Sequence, residues 1–153
     1  PNVSLHPQQT GNPLGDYIAS LRRLESLDVR QALPAHEYVF DNLGARVQEI
    51  IDHHHHRLGE MAASLDEGPK TAYQVADAVT WVTGRFADFD PWMKRAAVGE
   101  TLAHLEYMVV EDLADSYVRD GIVIVPKNGV LADGTVIAGN GTLSSPPRSA
   151  AYS

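Results

Sequence analysis

Apolar positions recur every three or four residues in four stretches of this chain, and that spacing predicts four helices. In the first, over 14–27, Leu14, Tyr17, Ile18, Leu21 and Leu24 share one side, while Arg22, Arg23 and Glu25 take the other. A short apolar run from Val29 to Leu33 follows and stops at Pro34, and it reads as a buried strand with His36 just beyond it. The second helix, over 42–65, carries the stripe Leu43, Val47, Ile50, His54, Leu58, Met61 and Leu65. Asp66-Glu67-Gly68-Pro69 then ends it, since Gly and Pro together stop helices. The third, over 71–82, sets Ala72, Val75, Ala76 and Val79 on one side. Residues 84–91 read as a turn-rich connection. The fourth helix, over 91–113, has the stripe Val98, Leu102, Leu105, Val109 and Leu113.

Two strand-like runs come next, Ser116 to Arg119 and Ile122 to Val125, separated by Asp120-Gly121. That pair suits a tight hairpin, whose central turn positions need φ > 0. The order helix–helix–helix–hairpin is that of a winged-helix module. Residues 1–13, with three prolines and a Gly-Asn-Pro turn, read as loop. So does the Gly- and Ser-rich tail from Lys127 to beyond Pro146-Pro147, with a weak hairpin of Val130 and Val136 around Asp133-Gly134. No internal repeat is visible. The expected fold class is therefore mainly α with a small β component, α+β.

Composition narrows the function classes. The 153 residues suit one domain or a domain and a half, and 44% hydrophobic content supplies a core. With no cysteine, disulfide frameworks, thiol nucleophiles and Cys-based zinc fingers are excluded, and a reducing cytoplasm is the expected location. Twelve Lys and Arg against twenty Asp and Glu leave a net charge of −8, the wrong balance for a surface that neutralises phosphates. The longest apolar stretches, such as Ile122 to Val125, are far too short to span a bilayer. The chain opens at Pro1 with no charged segment leading into an apolar one, so no signal peptide is expected, and a processed precursor or a cut fragment both fit.

Histidines dominate the candidate chemistry. Four are consecutive, His53 to His56, inside the second predicted helix. Helix neighbours point apart, so only His53 and His56 of the run share a face, and two ligands fall short of the usual four of a structural zinc site. The plainer reading puts His54 and His55 at the apolar boundary and leaves His53 and His56 wetter, with adventitious nickel or zinc binding at most. Glu100 and His104, an i, i+4 pair on the fourth helix, either share a metal or staple the helix by a hydrogen bond. His36, just after an apolar run in Leu33-Pro34-Ala35-His36-Glu37, stands where a strand fixes the backbone and a loop exposes the ring.

Three ordered stretches carry a resemblance. The first is Ser4-Leu5-His6-Pro7 with Gly11-Asn12-Pro13-Leu14-Gly15-Asp16-Tyr17 and then Ser20-Leu21. The second is Leu33-Pro34-Ala35-His36-Glu37, followed by Arg46 and by Arg57-Leu58. The third is Glu100-Thr101-Leu102-Ala103-His104-Leu105-Glu106-Tyr107. Together, over about residues 1–125, they resemble the C-terminal part of metallo-β-lactamase superfamily hydrolases, in the glyoxalase II-like and β-lactamase-like 2 branch with a winged-helix extension.

The resemblance implies three parts. Residues 1–40 would end the catalytic domain as a helix–strand remnant, 41–126 would be a connector helix and a winged-helix-like domain, and 127–153 a tail. His36 resembles the family's last metal ligand, the His of Leu-Pro-Gly-His-Gly, with Ala35 and Glu37 standing where glycines are common. The family's His-x-His-x-Asp-His cluster fails in both registers of the His53–His56 run, which continues Arg57-Leu58-Gly59. The family's metals lower the pKa of a bound water and polarise the scissile bond. One histidine cannot do this. The resemblance thus implies zinc and a small-molecule substrate in a longer parent, no specific zinc and no turnover in this chain alone, and a catalytic domain as partner. It also implies that His104 supports a domain interface and that the His-rich helix is the connector.

A winged-helix module that binds nucleic acid is the alternative. Its candidate recognition helix carries Lys94 and Arg95 against Glu100, Glu106, Glu111 and Asp112, and the hairpin offers only Arg119. Phosphates would find that a poor partner. An interaction domain is the other alternative, with the chain forming a homodimer through the helix at 14–27.

Overall fold

The computed structural model describes residues 3–5, 11–36, 38–114, 116–119 and 122–125. Four helices form where the spacing places them: α1 Pro13–Glu25, α2 Leu43–Ser64, α3 Ala72–Ala78 and α4 Pro91–Val110. Each begins at a side chain that takes up an orphan backbone N–H of the first turn. The Asn12 side chain accepts from Gly15 N and the Asn42 side chain from Ala45 N, both at 2.9 Å. Asp90 accepts from Met93 N at 2.8 Å, with Pro91 set in the first helical position. Thr71 and Gln74 form a reciprocal capping box.

Helix ends explain two departures from the expected bounds. α3 stops at Ala78 rather than near Val82, because Val79 turns to extended backbone and keeps its side chain in the core. Trp81 then folds back, donating from Nε1 to Ala76 O at 2.7 Å, and Gly84, at φ +126°, closes the turn by pairing with Trp81. α4 ends at Val110 because Asp112 adopts φ +55°, a left-handed conformation that Asp tolerates better than most residues. Leu113 N and Ala114 N then both donate to Met108 O, which closes the helix end.

The β component is a three-stranded antiparallel sheet in the order β1-β3-β2: Lys70–Thr71, Ile122–Val125 and Tyr117–Arg119. The hairpin has the expected register, with Arg119 opposite Ile122, and Thr71 adds a third strand opposite Ile124. The short β1 was not expected from the sequence. Asp120-Gly121, the tail from Lys127 and its Val130/Val136 hairpin lie outside the described residues.

The expected strand at Val29–Leu33 is corrected. Only an isolated bridge forms there, Ala32 to Phe40, with Val29 exposed and Leu33 77% exposed. A strand needs a neighbour to pair with, and among the described residues the sheet lies elsewhere.

The main core joins Leu14 and Ile18 of α1, Leu58 and Met61 of α2, Val75 of α3, and Leu105 and Met108 of α4. Leu21 with Val47 and Ile51 extends it between α1 and α2, so Ile51 rather than Ile50 is the buried member of that stripe. On α4 the expected stripe is corrected further. Of its five members only Leu105 is buried; Val98, Leu102 and Val109 are half-buried, and Leu113 is exposed past the helix end. The helix is enclosed on several sides, so no single stripe describes it. Ala97 meets Phe86 and Phe89, His104 meets α2, and Leu5 N donates to Gly99 O at 2.9 Å, laying residues 3–5 against α4.

Met61 is fully buried where α1, α2 and α4 meet, so Met61→Ala should cost about 2–5 kcal/mol in urea unfolding, whereas Val82→Ala, at a 97% exposed position, should stay within about 0.5 kcal/mol.

Candidate functional site

The chemistry of this chain gathers where α2 faces the middle of α4. His54 is 1% exposed and His104 is fully buried, and their rings meet with Nδ1 of His54 3.1 Å from Nε2 of His104. Nδ1 of His104 lies 2.8 Å from the main-chain oxygen of Glu100. A carbonyl only accepts, so His104 must donate from Nδ1 and, when neutral, accept at Nε2. His54 must then donate from Nδ1, which leaves its Nε2 a bare acceptor. That nitrogen is buried with no hydrogen-bond partner among the described residues, as is Thr101 Oγ1. Burial drives both pKa values down to about 4, and the proximity of His104 lowers that of His54 further. The pair is neutral at pH 7.

One turn along α2, Arg57 is buried too. It pairs with Glu60 at 3.0 Å, donates to Thr80 O, and lies 4.7 Å over the Trp81 ring. These contacts clamp the segment after α3 onto α2. Next to it opens a cleft of about 310 Å³, walled by Trp81 and Phe89 on one side and by Trp92, Met93 and Glu100 of α4 on the other. His53 and Arg57 line its α2 side. Burial raises the Glu100 pKa, and the charge of Arg57 partly offsets this.

These contacts sort the sequence candidates. Glu100 and His104 do form a staple, but it runs from the His104 ring to the Glu100 main chain, not to its carboxylate. Of the histidine run, His54 is buried as expected while His55 is exposed with His53 and His56, a correction: a ring one position on from His54 rotates off the α2–α4 contact. His36 is exposed in the loop between α1 and α2, and Glu37 and His6 lie outside the described residues. The structure does not bring His36 to the His54–His104 pair as part of any metal-capable set. Sequence reasoning missed the pairing of His54 with His104, fifty positions apart, and the buried Arg57. The only sequence sign of the pair was that His54 already fell on the α2 stripe.

Known proteins resemble this chain at the level of both sequence and fold. No protein-family model matches it. It is 30% identical over 105 residues to "Probable metallo-hydrolase YqjP" of Bacillus subtilis (strain 168), an alignment covering 69% of this chain and 31% of that protein. It is 28% identical to "Lactamase-like protein nscB" of Arthroderma benhamiae, over 72% of this chain and 27% of that protein. A β-lactamase domain protein of Burkholderia ambifaria superposes with a TM-score of 0.73 at 27% identity, covering 82% of this chain and 37% of the other. A metallo-β-lactamase family protein of Thermus thermophilus superposes with a TM-score of 0.66 at 33% identity, over 83% and 37%. The chain belongs to the metallo-β-lactamase superfamily. It spans about a third of the length of the curated relatives it matches.

Superfamily membership implies a metal, and the described residues do not fit one by themselves. No three His, Asp or Glu side chains among them converge on a common point. Among those residues, Nε2 of His54 is the sole histidine nitrogen that is both buried and unpartnered, and His104 holds the opposite side of its ring. Among the described residues no helix is long and apolar enough to cross a membrane.

The neutral pair ties stability to pH. Unfolded histidines protonate near 6.5, and these two, when folded, near 4. The unfolded state therefore binds more protons across that window, and the chain should lose stability as pH falls from about 6.5 towards 4. Melting temperatures across pH 4–8 should show that slope, and His54→Gln, which cannot protonate, should reduce it while His104 keeps the remainder.

Proposed function

We propose that this chain is the C-terminal part of a zinc-dependent hydrolase, in which His36 is one metal ligand and the remaining ligands lie outside this chain. The observation that carries the reading is the alignment with a metallo-hydrolase over less than a third of that protein's length, in a chain whose described residues assemble no metal-binding set. On this reading residues 1–40 complete the catalytic domain, 41–126 form the connector helix and a winged-helix-like domain, and 127–153 a tail. The element order β1, α3, α4, β2, β3 with the sheet order β1-β3-β2 supports the winged-helix part.

The partner is the rest of the catalytic domain. From α1 to α2 the chain exposes Leu24, Leu27, Val29, Leu33, Tyr38 and Val39, an apolar edge beside His36 that such a domain would cover. Covering it would also give Ala32 and its neighbours a sheet to extend. A homodimer through α1 would have to use Leu24 and Leu27, because Leu14, Ile18 and Leu21 are already buried within the chain. The substrate is a small molecule bound mainly by the other domain, and the protein acts in the cytoplasm. A nucleic-acid module is less favoured: α4 is enclosed on several sides and acidic along its second half, so it offers a groove little free surface and the wrong charge.

The test compares this chain with the same chain joined to the preceding 150–200 or so encoded residues, about one domain's worth. The longer protein should contain a His-x-His-x-Asp-His cluster, bind zinc and hydrolyse a thioester, lactone, β-lactam or phosphodiester, while the chain alone should turn over none. His36→Ala in the longer protein should cut metal affinity or activity by roughly 100-fold or more, since loss of a ligand costs at least as much as loss of its supporting shell. Its melting profile for α1–α4 should be unchanged, because His36 is exposed. Turnover by the chain alone, or full zinc content in His36→Ala, would overturn the reading.

A further inference from the structure

The chain has two tryptophans, Trp81 and Trp92, and both line the cleft between the segment after α3 and the start of α4. Trp92 is 76% exposed, and Val82 beside it stands almost wholly in solvent. Large rings left bare are costly unless something covers them. Ala96 and Ala97, one turn on from Trp92 and Met93, leave the space that makes this surface a cleft rather than a ridge. At about 310 Å³ it falls within the range of small-molecule sites.

The charges in the cleft are not balanced. Arg57 is already committed to Glu60, to Thr80 O and to the Trp81 ring, with its side chain almost fully covered. The half-buried Glu100 carboxylate makes no hydrogen bond or ion pair with any described residue, though the Arg57 charge acts on it from a distance. Burial and the charge of Arg57 lower the His53 pKa, which disfavours a positive charge there. What remains is one partly desolvated carboxylate in a cleft lined by aromatic rings.

We propose that this cleft binds a small organic cation, an alkyl- or arylammonium with an apolar body. The ammonium group would meet Glu100 and the open face of Trp92, while the body lies along Met93 and Phe89. Cations are attracted to the faces of indole rings, and most strongly where water is displaced. A neutral hydrocarbon would cover the rings but leave the carboxylate buried without a partner. An anion would meet Glu100 and a chain of net charge −8. The proposal does not rest on the metal-centre reading, and its test needs neither metal nor turnover.

Tryptophan fluorescence of the full chain reads this cleft directly, since both tryptophans lie in it. The probes are benzyltrimethylammonium, benzyl alcohol and phenylacetate, matched in their aromatic body and differing in charge. Benzyltrimethylammonium should give a saturable change about 10-fold tighter than benzyl alcohol, weakening as salt is added, and phenylacetate should give none in the same range. Glu100→Gln should lower cation affinity by roughly 5-fold or more while leaving benzyl alcohol unchanged. Trp92→Leu alters an exposed side chain that the fold does not need, so it serves as the second variant if Glu100→Gln melts early, and it should weaken the cation likewise. Equal affinity for the cation and the alcohol, tighter binding of phenylacetate, or cation binding unmoved by either variant would overturn the proposal.

Discussion

Where α2 crosses α4, two buried imidazoles share one hydrogen bond, and much of the structure is arranged to keep them neutral. His104 must give its Nδ1 proton to the Glu100 carbonyl, so its other nitrogen can only accept, and His54 has to approach in the one tautomer that donates. That requirement sets the rotation of α2 about its axis. With His54 turned inward, Leu58 and Met61 follow one and two turns later, and Val47 and Ile51 precede it on the same side, against α1. With His104 turned inward, Leu105 and Met108 reach the same core from α4. A polar contact with so few allowed geometries fixes a register that interchangeable leucines would leave looser. What it lacks is a partner for Nε2 of His54, a buried acceptor whose cost falls on the folded state.

Arg57 is tied to the same contact. It sits one turn beyond His54 and beside it, buried, with its cation spread over an indole ring and held by one carboxylate and one carbonyl. A buried guanidinium is tolerable only when its charge is taken up in this way, although Nε of Arg57 has no partner among the described residues. The consequence is positional. The segment from Val79 to Phe89 has little regular structure, yet it is pinned to α2 through Thr80 and Trp81 and to α3 through the indole N–H. The cleft beside α4 keeps its shape because one of its walls is held from behind by a charge.

Much of this was legible in the chain. Four helices and the hairpin follow from local spacing, which a sequence carries openly, while the caps at Asn12, Asn42, Thr71 and Asp90 emerged only in the structure. The failures share one cause. Ile50 against Ile51, the five-residue stripe of α4, and the single strand at 29–33 all depend on which neighbours are present, and neighbours are not a local property. α4 is packed on several sides, so small residues such as Ala97, Gly99 and Ala103 are buried there while Val98 and Leu102 sit at the margin. A stripe read by size alone points the wrong way. Among the histidines, the conspicuous run hid its one structural member, His54, and the partner fifty residues on could be found only in three dimensions.

His36 differs from all of these because nothing in the described structure holds it. The segment around it has apolar side chains in solvent and a single β-bridge, while the helices on either side are well capped and well packed. Leu33 and Tyr38 of this loop stand largely in solvent, whereas the helices on either side bury their apolar stripes against one another. The curated relatives are more than three times the aligned length. Helices α1 to α4 share one core through Leu14, Met61, Val75 and Met108, whereas residues 26–40 do not join it. The division that matters in this chain therefore falls between four helices that share one core and the loop carrying His36, which that core does not hold.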